Sequence, residues 1–401
     1  MISKNLINKI LIYLIFIFIG FNLKIMKGIY IFDILILLFI SFNYKYLLIN
    51  KNLIITFSLL LIMYLLTNLN QVFFNNWITL ESIRVFWVSI CFIFFYIFFK
   101  NLYSKEIVLN YNLIYFLLSV PVILSVIMFF FPNIEKIILS FYGFHKYPAF
   151  GRYGGFFGSD VNTLGIYSSL ILLLGMIFSK FNLVHKWILF SILVLAVFDI
   201  VLSGMRTGLI VFFGLLFIFN KKLNILNYKY IFLSLILIIT TLFFIYIINP
   251  DLQILIDYII KRFSIYKLLT DFGLTDSSIS GGNLHTAINY FYRILDGREI
   301  NYYNFFLGID YNLDYVDNFY IYLFIKNGLL TNIFYIGFLV FLIFQFYKDK
   351  NFMGMYLSIV TLIIGIKGTF VIYQLYIVLL MFILYVWSIN IKVQGNKLCK
   401  S

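Results

Sequence analysis

WILFSILVLAVFDIVLSGMRTGLIVFFGLLFIF, residues 187–219, consists of two apolar runs, 187–203 and 207–219, separated by a turn that carries one arginine. Each run reads as a membrane-spanning helix. The same pattern continues in both directions. Further apolar runs fall at about 10–21, 29–42, 53–69, 85–99, 107–131, 162–178, 230–248, 331–347, 353–366 and 370–389. Several are shorter than the roughly 20 residues that cross a bilayer, so they borrow flanking residues or sit at thinned depth. The expected fold is all-α: one polytopic membrane domain over residues 1–401, with about twelve transmembrane helices and eleven as the alternative.

Composition agrees. Hydrophobic residues make up 63% of the chain and charged residues 11%, and the mean hydropathy is +1.01. A soluble domain of this size needs a far more polar surface. The bias toward Ile, Leu, Phe, Tyr, Asn and Lys runs through the whole chain, so the aromatics read as lipid-facing or packing residues rather than a cofactor box. The three histidines, His145, His185 and His285, are scattered and form no metal cluster. Cys91 lies in an apolar run and Cys399 in the tail, too far apart in depth to pair. Neither a metal nor a cofactor is expected. The net charge of +14 comes from lysines in short loops between apolar runs, which speaks for a membrane and against nucleic acid. The first run follows Lys4 and Lys9 and lacks a small-residue cleavage site after Gly20, so it reads as an uncleaved helix.

The lysines set the orientation. Alternate loops hold Lys45 and Lys51, Lys100 and Lys105, Lys180 and Lys186, then Lys221, Lys222 and Lys229, then Lys348 and Lys350, and the tail holds Lys392, Lys397 and Lys400. Under the positive-inside rule these are cytoplasmic, as are both termini, and the expected location is a bacterial inner membrane. The opposite side carries two long loops, 132–161 and 249–316. It also carries every arginine: Arg84, Arg152, Arg206, Arg262, Arg293 and Arg298. Outer loops tolerate either cation, but arginine is the residue for gripping phosphate with a rigid, always-charged fork. Pro121 is placed to kink the fifth run, and Pro250 ends the ninth.

Four segments carry candidate chemistry. Residues 151–162, GRYGGFFGSDVN, precede the sixth run. Their glycines let backbone approach a ligand, and the helix start that follows offers free N–H groups to an anion beside Arg152. Read structurally, the same stretch is a flexible turn capped by Asp160 or Asn162. Residues 202–208, LSGMRTG, place Arg206 at the membrane's outer edge, where an unpaired charge is costly and snorkelling is the structural alternative. The loop 249–316 is too long for an incidental connection. Within it, 252–268 reads as an amphipathic interfacial helix and 284–295 as a second helical segment. Finally, residues 317–323, DNFYIYL, and 326–330, KNGLL, lead back into the membrane, with Asp317 able to cap the returning helix.

In their order, these segments resemble the O-antigen ligase and polymerase family of bacterial polysaccharide assembly. That family has a glycine-rich Arg…Asn approach to a helix, a Ser-Arg-Thr-Gly turn, a large outer loop bearing arginine and an Asn-Tyr-Leu…Gly-Leu return helix. The match covers about residues 150–335. The resemblance implies transfer of a glycan from a lipid diphosphate on the outer face of the inner membrane. It also implies undecaprenyl-diphosphate-linked oligosaccharide, membrane lipid and a chain-length regulator as partners. By position it puts Arg152 and Arg206 in the diphosphate cavity, with Asn162 and Asn318 as glycan contacts. The loop arginine would be Arg262, with Arg293 or His285 as alternatives, because Gly282-Asn283-Leu284-His285 stands where family members often have arginine after a Ser-Gly turn. Ligases typically have histidine before the return-helix asparagine. Asp317 stands there instead, which points to a polymerase; by residue type and position Asp317 is the candidate base toward the acceptor hydroxyl. The alternatives are an O-antigen ligase and, from another class, a lipid-linked oligosaccharide flippase. A carrier usually places ionisable groups inside helices, and only Asp33 and Asp199 lie deep in apolar runs here.

Overall fold

The computed structural model describes residues 4–21, 24–26, 29–44, 109–142, 153–157, 161–203, 206–225, 319–365 and 374–398, with isolated helical positions such as Ile90, Cys91, Phe94 and Ile97. The described residues are helical apart from one short antiparallel ribbon, β1 (Lys24–Met26) with β2 (Ile29–Tyr30). The helices are α1 (Lys4–Phe21), α2 (Ile31–Phe42), α3 (Tyr111–Leu118), α4 (Val120–Phe130), α5 (Pro132–Tyr142), α6 (Val161–Phe181), α7 (Lys186–Ser203), α8 (Arg206–Leu223), α9 (Phe319–Lys348), α10 (Phe352–Ile364) and α11 (Gln374–Leu398). Each corresponds to an expected apolar run except α5, which forms where an outer loop was expected. The expected runs at 53–69, 85–99 and 230–248, and the segments 252–268 and 284–295, lie outside the continuously described residues.

Four helical stretches among the described residues are long and apolar enough to cross a membrane: Lys4–Phe21, Thr163–Phe181, Lys186–Ser203 and Gly328–Lys348. The pair α3 and α4 makes a fifth if read as one bent span. Its 45° bend falls at Ser119, two residues before Pro121. Pro121 has no N–H to give to the preceding turn, so the ladder breaks there. At the bend the Ser119 hydroxyl donates to the Tyr115 carbonyl at 2.7 Å, beside the Ser119 backbone N–H, which donates to the same carbonyl.

The chain divides into two compact units, residues 1–35, 106–275 and 386–401 in the first and 36–105 and 276–385 in the second. In the first unit α6 is the central helix and is buried along most of its length. A tight turn, with Asn182 at φ 52°, reverses the chain, so α6 and α7 form an antiparallel hairpin. Helix α1 runs parallel to α3: Tyr13 Oη accepts from the Asn110 N–H at 2.8 Å, and Gly20 lies against the Leu117 carbonyl. Asn112 Oδ1 accepts from the His185 N–H at 2.7 Å, placing the start of α3 beside the α6–α7 turn. Lys180, near the end of α6, donates to the Leu223 carbonyl at the end of α8 and lies 4.5 Å from the Trp387 ring. A cation there satisfies carbonyls that a helix end leaves open. Thus α1, α3–α4 and α7 run one way and α6 and α8 the other. The ends bearing Lys180, Lys186, Lys221 and Lys222 gather on one side. That is the alternation expected from the lysine pattern.

In the second unit, α9 breaks at Gly328, whose φ of 77° and ψ of 174° suit glycine and few other residues. Asn332 bridges the break by donating from Nδ2 to the Tyr320 carbonyl at 2.8 Å. Tyr320 in turn donates to the Leu362 carbonyl of α10 at 2.5 Å. Beyond the break, Phe338 and Leu339 pack with Phe334, Tyr335, Leu342 and Leu362, while Ile333, Val340 and Phe344 are exposed. An apolar helix exposed along one side is one that lipid covers. A Gly328→Ala variant is expected to lose about 1–3 kcal/mol of stability to backbone strain. Thermal melting in detergent checks it; an unchanged melting point means the break does not depend on glycine.

Candidate functional site

The antiparallel hairpin puts the start of α6 and the end of α7 on the same side, away from the lysines. Both the glycine-rich segment and the Ser-Gly-Met-Arg-Thr-Gly turn are attached there. They meet: the Tyr153 N–H donates to the Leu202 carbonyl at 3.3 Å. Arg152 precedes Tyr153 directly, and Arg206 follows Leu202 by four residues. Two segments about 50 residues apart in sequence therefore converge at one end of the bundle.

The described part of the glycine-rich segment is not solvated. Residues 153–157 are all buried, and Gly155–Phe157 form one turn of 3-10 helix. Ser125 on α4 fixes this turn. Its Oγ accepts from the Phe156 N–H at 2.9 Å and donates to the Pro121 carbonyl at 2.8 Å. The Tyr153 hydroxyl donates to the Ser125 carbonyl at 3.0 Å. Gly155 has φ 52°, and a Cβ there would come within 2.4 Å of Ser125 Oγ. Aromatic rings close the surroundings: Phe129 edges onto Tyr153 at 5.4 Å, Tyr142 onto Phe156 at 4.9 Å, and Phe157 tilts against Tyr167 at 5.5 Å. Burial drives the segment inward, because Tyr153, Phe156 and Phe157 are worth more among rings than in water. Its backbone polar groups find Ser125 and Leu202 there.

Burial is the main cause that pushes the Tyr153 hydroxyl well above its usual range, and the nearby Glu135 and Asp199 carboxyls push the same way. Tyr153 is therefore a neutral donor at any physiological pH. Asp199 itself is fully buried on α7, one helical turn before Ser203. Its Oδ2 accepts from Ser168 Oγ of α6 at 3.5 Å, a long contact, and its Oδ1 has no hydrogen-bond partner among the described residues. Asp33 proves different: it lies in the first turn of α2, and its Oδ2 accepts from the Tyr30 N–H at 2.8 Å. It is a helix-start carboxylate with a structural task.

Arg206 is the first residue of α8, a backbone position at which a cation is in general electrostatically unfavourable. Asn162 is the second residue of α6, inside its first turn, so it does not cap that helix from outside. The side chains of Arg206 and Asn162 lie outside the described residues, as do Arg152, Arg262, His285, Arg293, Asp317 and Asn318 altogether. Asp317 and Asn318 precede Phe319, the first residue of α9, in sequence. Among the described residues no group of three or more His, Cys, Asp or Glu gathers as metal ligands.

Sequence reasoning missed Ser125 and Tyr153 as the residues that hold the glycine-rich turn. The available signal was weak: a serine four residues after Pro121, able to reach its carbonyl, and a tyrosine beside Arg152. The fold defines a helical protein built on membrane-length apolar helices, with two arginine-bearing segments joined at one end. Comparison with known protein families, with curated proteins and with solved structures found no match.

Proposed function

We propose that the chain is an inner-membrane protein of about twelve spans, with both termini cytoplasmic. In this reading it polymerises lipid-linked oligosaccharide repeat units on the outer face. The donor is a glycan on undecaprenyl diphosphate and the acceptor a single lipid-linked repeat. The acceptor hydroxyl oxygen bonds to the anomeric carbon of the donor glycan as the bond from that carbon to the diphosphate oxygen breaks. The electron pair leaves with undecaprenyl diphosphate, and the hydroxyl proton passes to Asp317 as base. Arg152, Arg206 and a loop cation (Arg262, with Arg293 or His285 in its place) offset the charge that develops on the diphosphate. Asn162 and Asn318 contact the glycan.

The observation that carries this reading is the backbone bond from Tyr153 to Leu202, because it draws the Arg152 and Arg206 segments to one place. A buried Asp199 on a membrane-length helix, with one oxygen unpartnered among the described residues, is what a flippase would use, so that reading keeps a specific observation of its own. Deleting the gene in its own cell separates the two. A polymerase leaves undecaprenyl-linked single repeats in the outer leaflet; accumulation in the inner leaflet rejects polymerisation in favour of flipping. A ligase instead leaves chains growing but unattached to their acceptor. In the same strain, an Asp317→Ala copy that restores a normal ladder removes Asp317 from the role of base.

A further inference from the structure

Helix α5 occupies the beginning of what the sequence presents as an outer loop. It starts one residue after α4 ends, and its last residue, Tyr142, donates its hydroxyl to the carbonyl of Phe21, the last residue of α1, at 2.6 Å. Since α1 and the α3–α4 pair run in the same direction, α5 bridges the ends of two parallel helices on the arginine side. At about 100° per residue its side chains fall into three sectors. Glu135, Leu139 and Tyr142 face the protein: Glu135 and Leu139 are each 5% exposed, and Tyr142 packs on Phe156 of the glycine-rich turn. Asn133, Lys136 and Ser140 form a second, exposed polar sector. Ile134, Ile137, Ile138 and Phe141 form the third, with Ile137 70% and Phe141 75% exposed.

A helix at the edge of a soluble protein has two such sectors, apolar in and polar out. Three sectors, with a buried carboxyl and an exposed apolar face, fit a helix that meets protein, water and hydrocarbon at once. Phe130 at the end of α4 and Phe131, which directly precedes α5, are exposed as well. We propose that α5 is an interfacial helix that lies at the membrane surface with Ile134, Ile137 and Phe141 among the acyl chains of the bilayer. It thereby forms the lipid-side wall of the glycine-rich turn.

Single cysteines at positions 133, 134, 136, 137 and 141 test it in the full chain carrying Cys399→Ser. Cys91 is retained because it is fully buried and out of reach of the label. Each variant is spin-labelled in phosphatidylethanolamine–phosphatidylglycerol vesicles, and its collisions with oxygen and with a water-soluble nickel chelate are compared. Labels at Ile134→Cys, Ile137→Cys and Phe141→Cys are expected to favour oxygen several-fold over nickel, and those at Asn133→Cys and Lys136→Cys the reverse. Nickel accessibility at 137 and 141 equal to that at 133 overturns the proposal in favour of a water-exposed helix. Immobilised labels shielded from both reagents overturn it in favour of a protein partner. Because these five positions are surface sites, a variant that misfolds is recognised by its melting point, and the neighbouring position in the same sector then supplies the reading.

Discussion

An Arg206→Ala variant is expected to lose the ladder of long glycan chains and leave single repeats, while folding at least as well as the unaltered protein. Two opposed effects make this the most informative substitution. Arg206 opens α8, where the helix dipole disfavours a cation by about 0.3–1 kcal/mol at an exposed site. Alanine is the best helix former and removes that charge, so the melting point in detergent should hold or rise slightly. In the proposed transfer the guanidinium meets the departing diphosphate, and loss of one such donor costs about 10²–10³ in rate. Arg206→Lys is expected to fall between, because an ammonium keeps the charge but not the two-pronged grip. A wild-type ladder from Arg206→Ala would refute the phosphate role. A fallen melting point would instead show that the arginine serves the fold.

The second large effect is expected at Gly155. Replacement by alanine meets two separate penalties. A side chain at φ 52° strains the backbone by about 1–3 kcal/mol. The added Cβ also falls 2.4 Å from Ser125 Oγ and 2.6 Å from Ser125 Cβ, so the hydrogen bond from Phe156 to Ser125 cannot persist as it stands. A buried N–H left without a partner costs about 1–3 kcal/mol more. Gly155→Ala should therefore melt several degrees lower and displace the Arg152 segment from the Leu202 carbonyl. Adding Ser125→Gly removes the collision but not the strain or the lost bond, so it should restore only part of the melting point. Full restoration would mean that collision is the whole effect; no restoration would mean that Ser125 does not position the turn.

The limits of the sequence show at particular residues. The apolar runs from 162 to 219 were legible as three helices because hydrophobic length alone decides a span. The lysines gave their directions, and the ends bearing Lys180, Lys186, Lys221 and Lys222 do gather on one side. Pro121 announced the bend in the fifth run. Residues 132–142 were not legible as a helix, since their apolar stripe is too short to be a span and reads as loop once a span is assumed on either side. Asp33 and Asp199 looked alike in sequence. Both are buried, but the first accepts from the Tyr30 N–H at the start of α2 and the second lies within α7 facing Ser168 of α6, and only packing separates them.

The turn between the runs at 187–203 and 207–219 shows the same division. Sequence alone determined that a charged residue stands between two apolar helices, because the two hydrophobic runs are interrupted only at 204–206. The tertiary structure decided what stands beside it. Residues 153–157 are drawn into the bundle by their rings and held by Ser125, and Tyr153 then reaches Leu202. Hydropathy reports how deep a residue lies. Which segments meet at that depth depends on which buried donors find acceptors, and that is settled only when the helices pack.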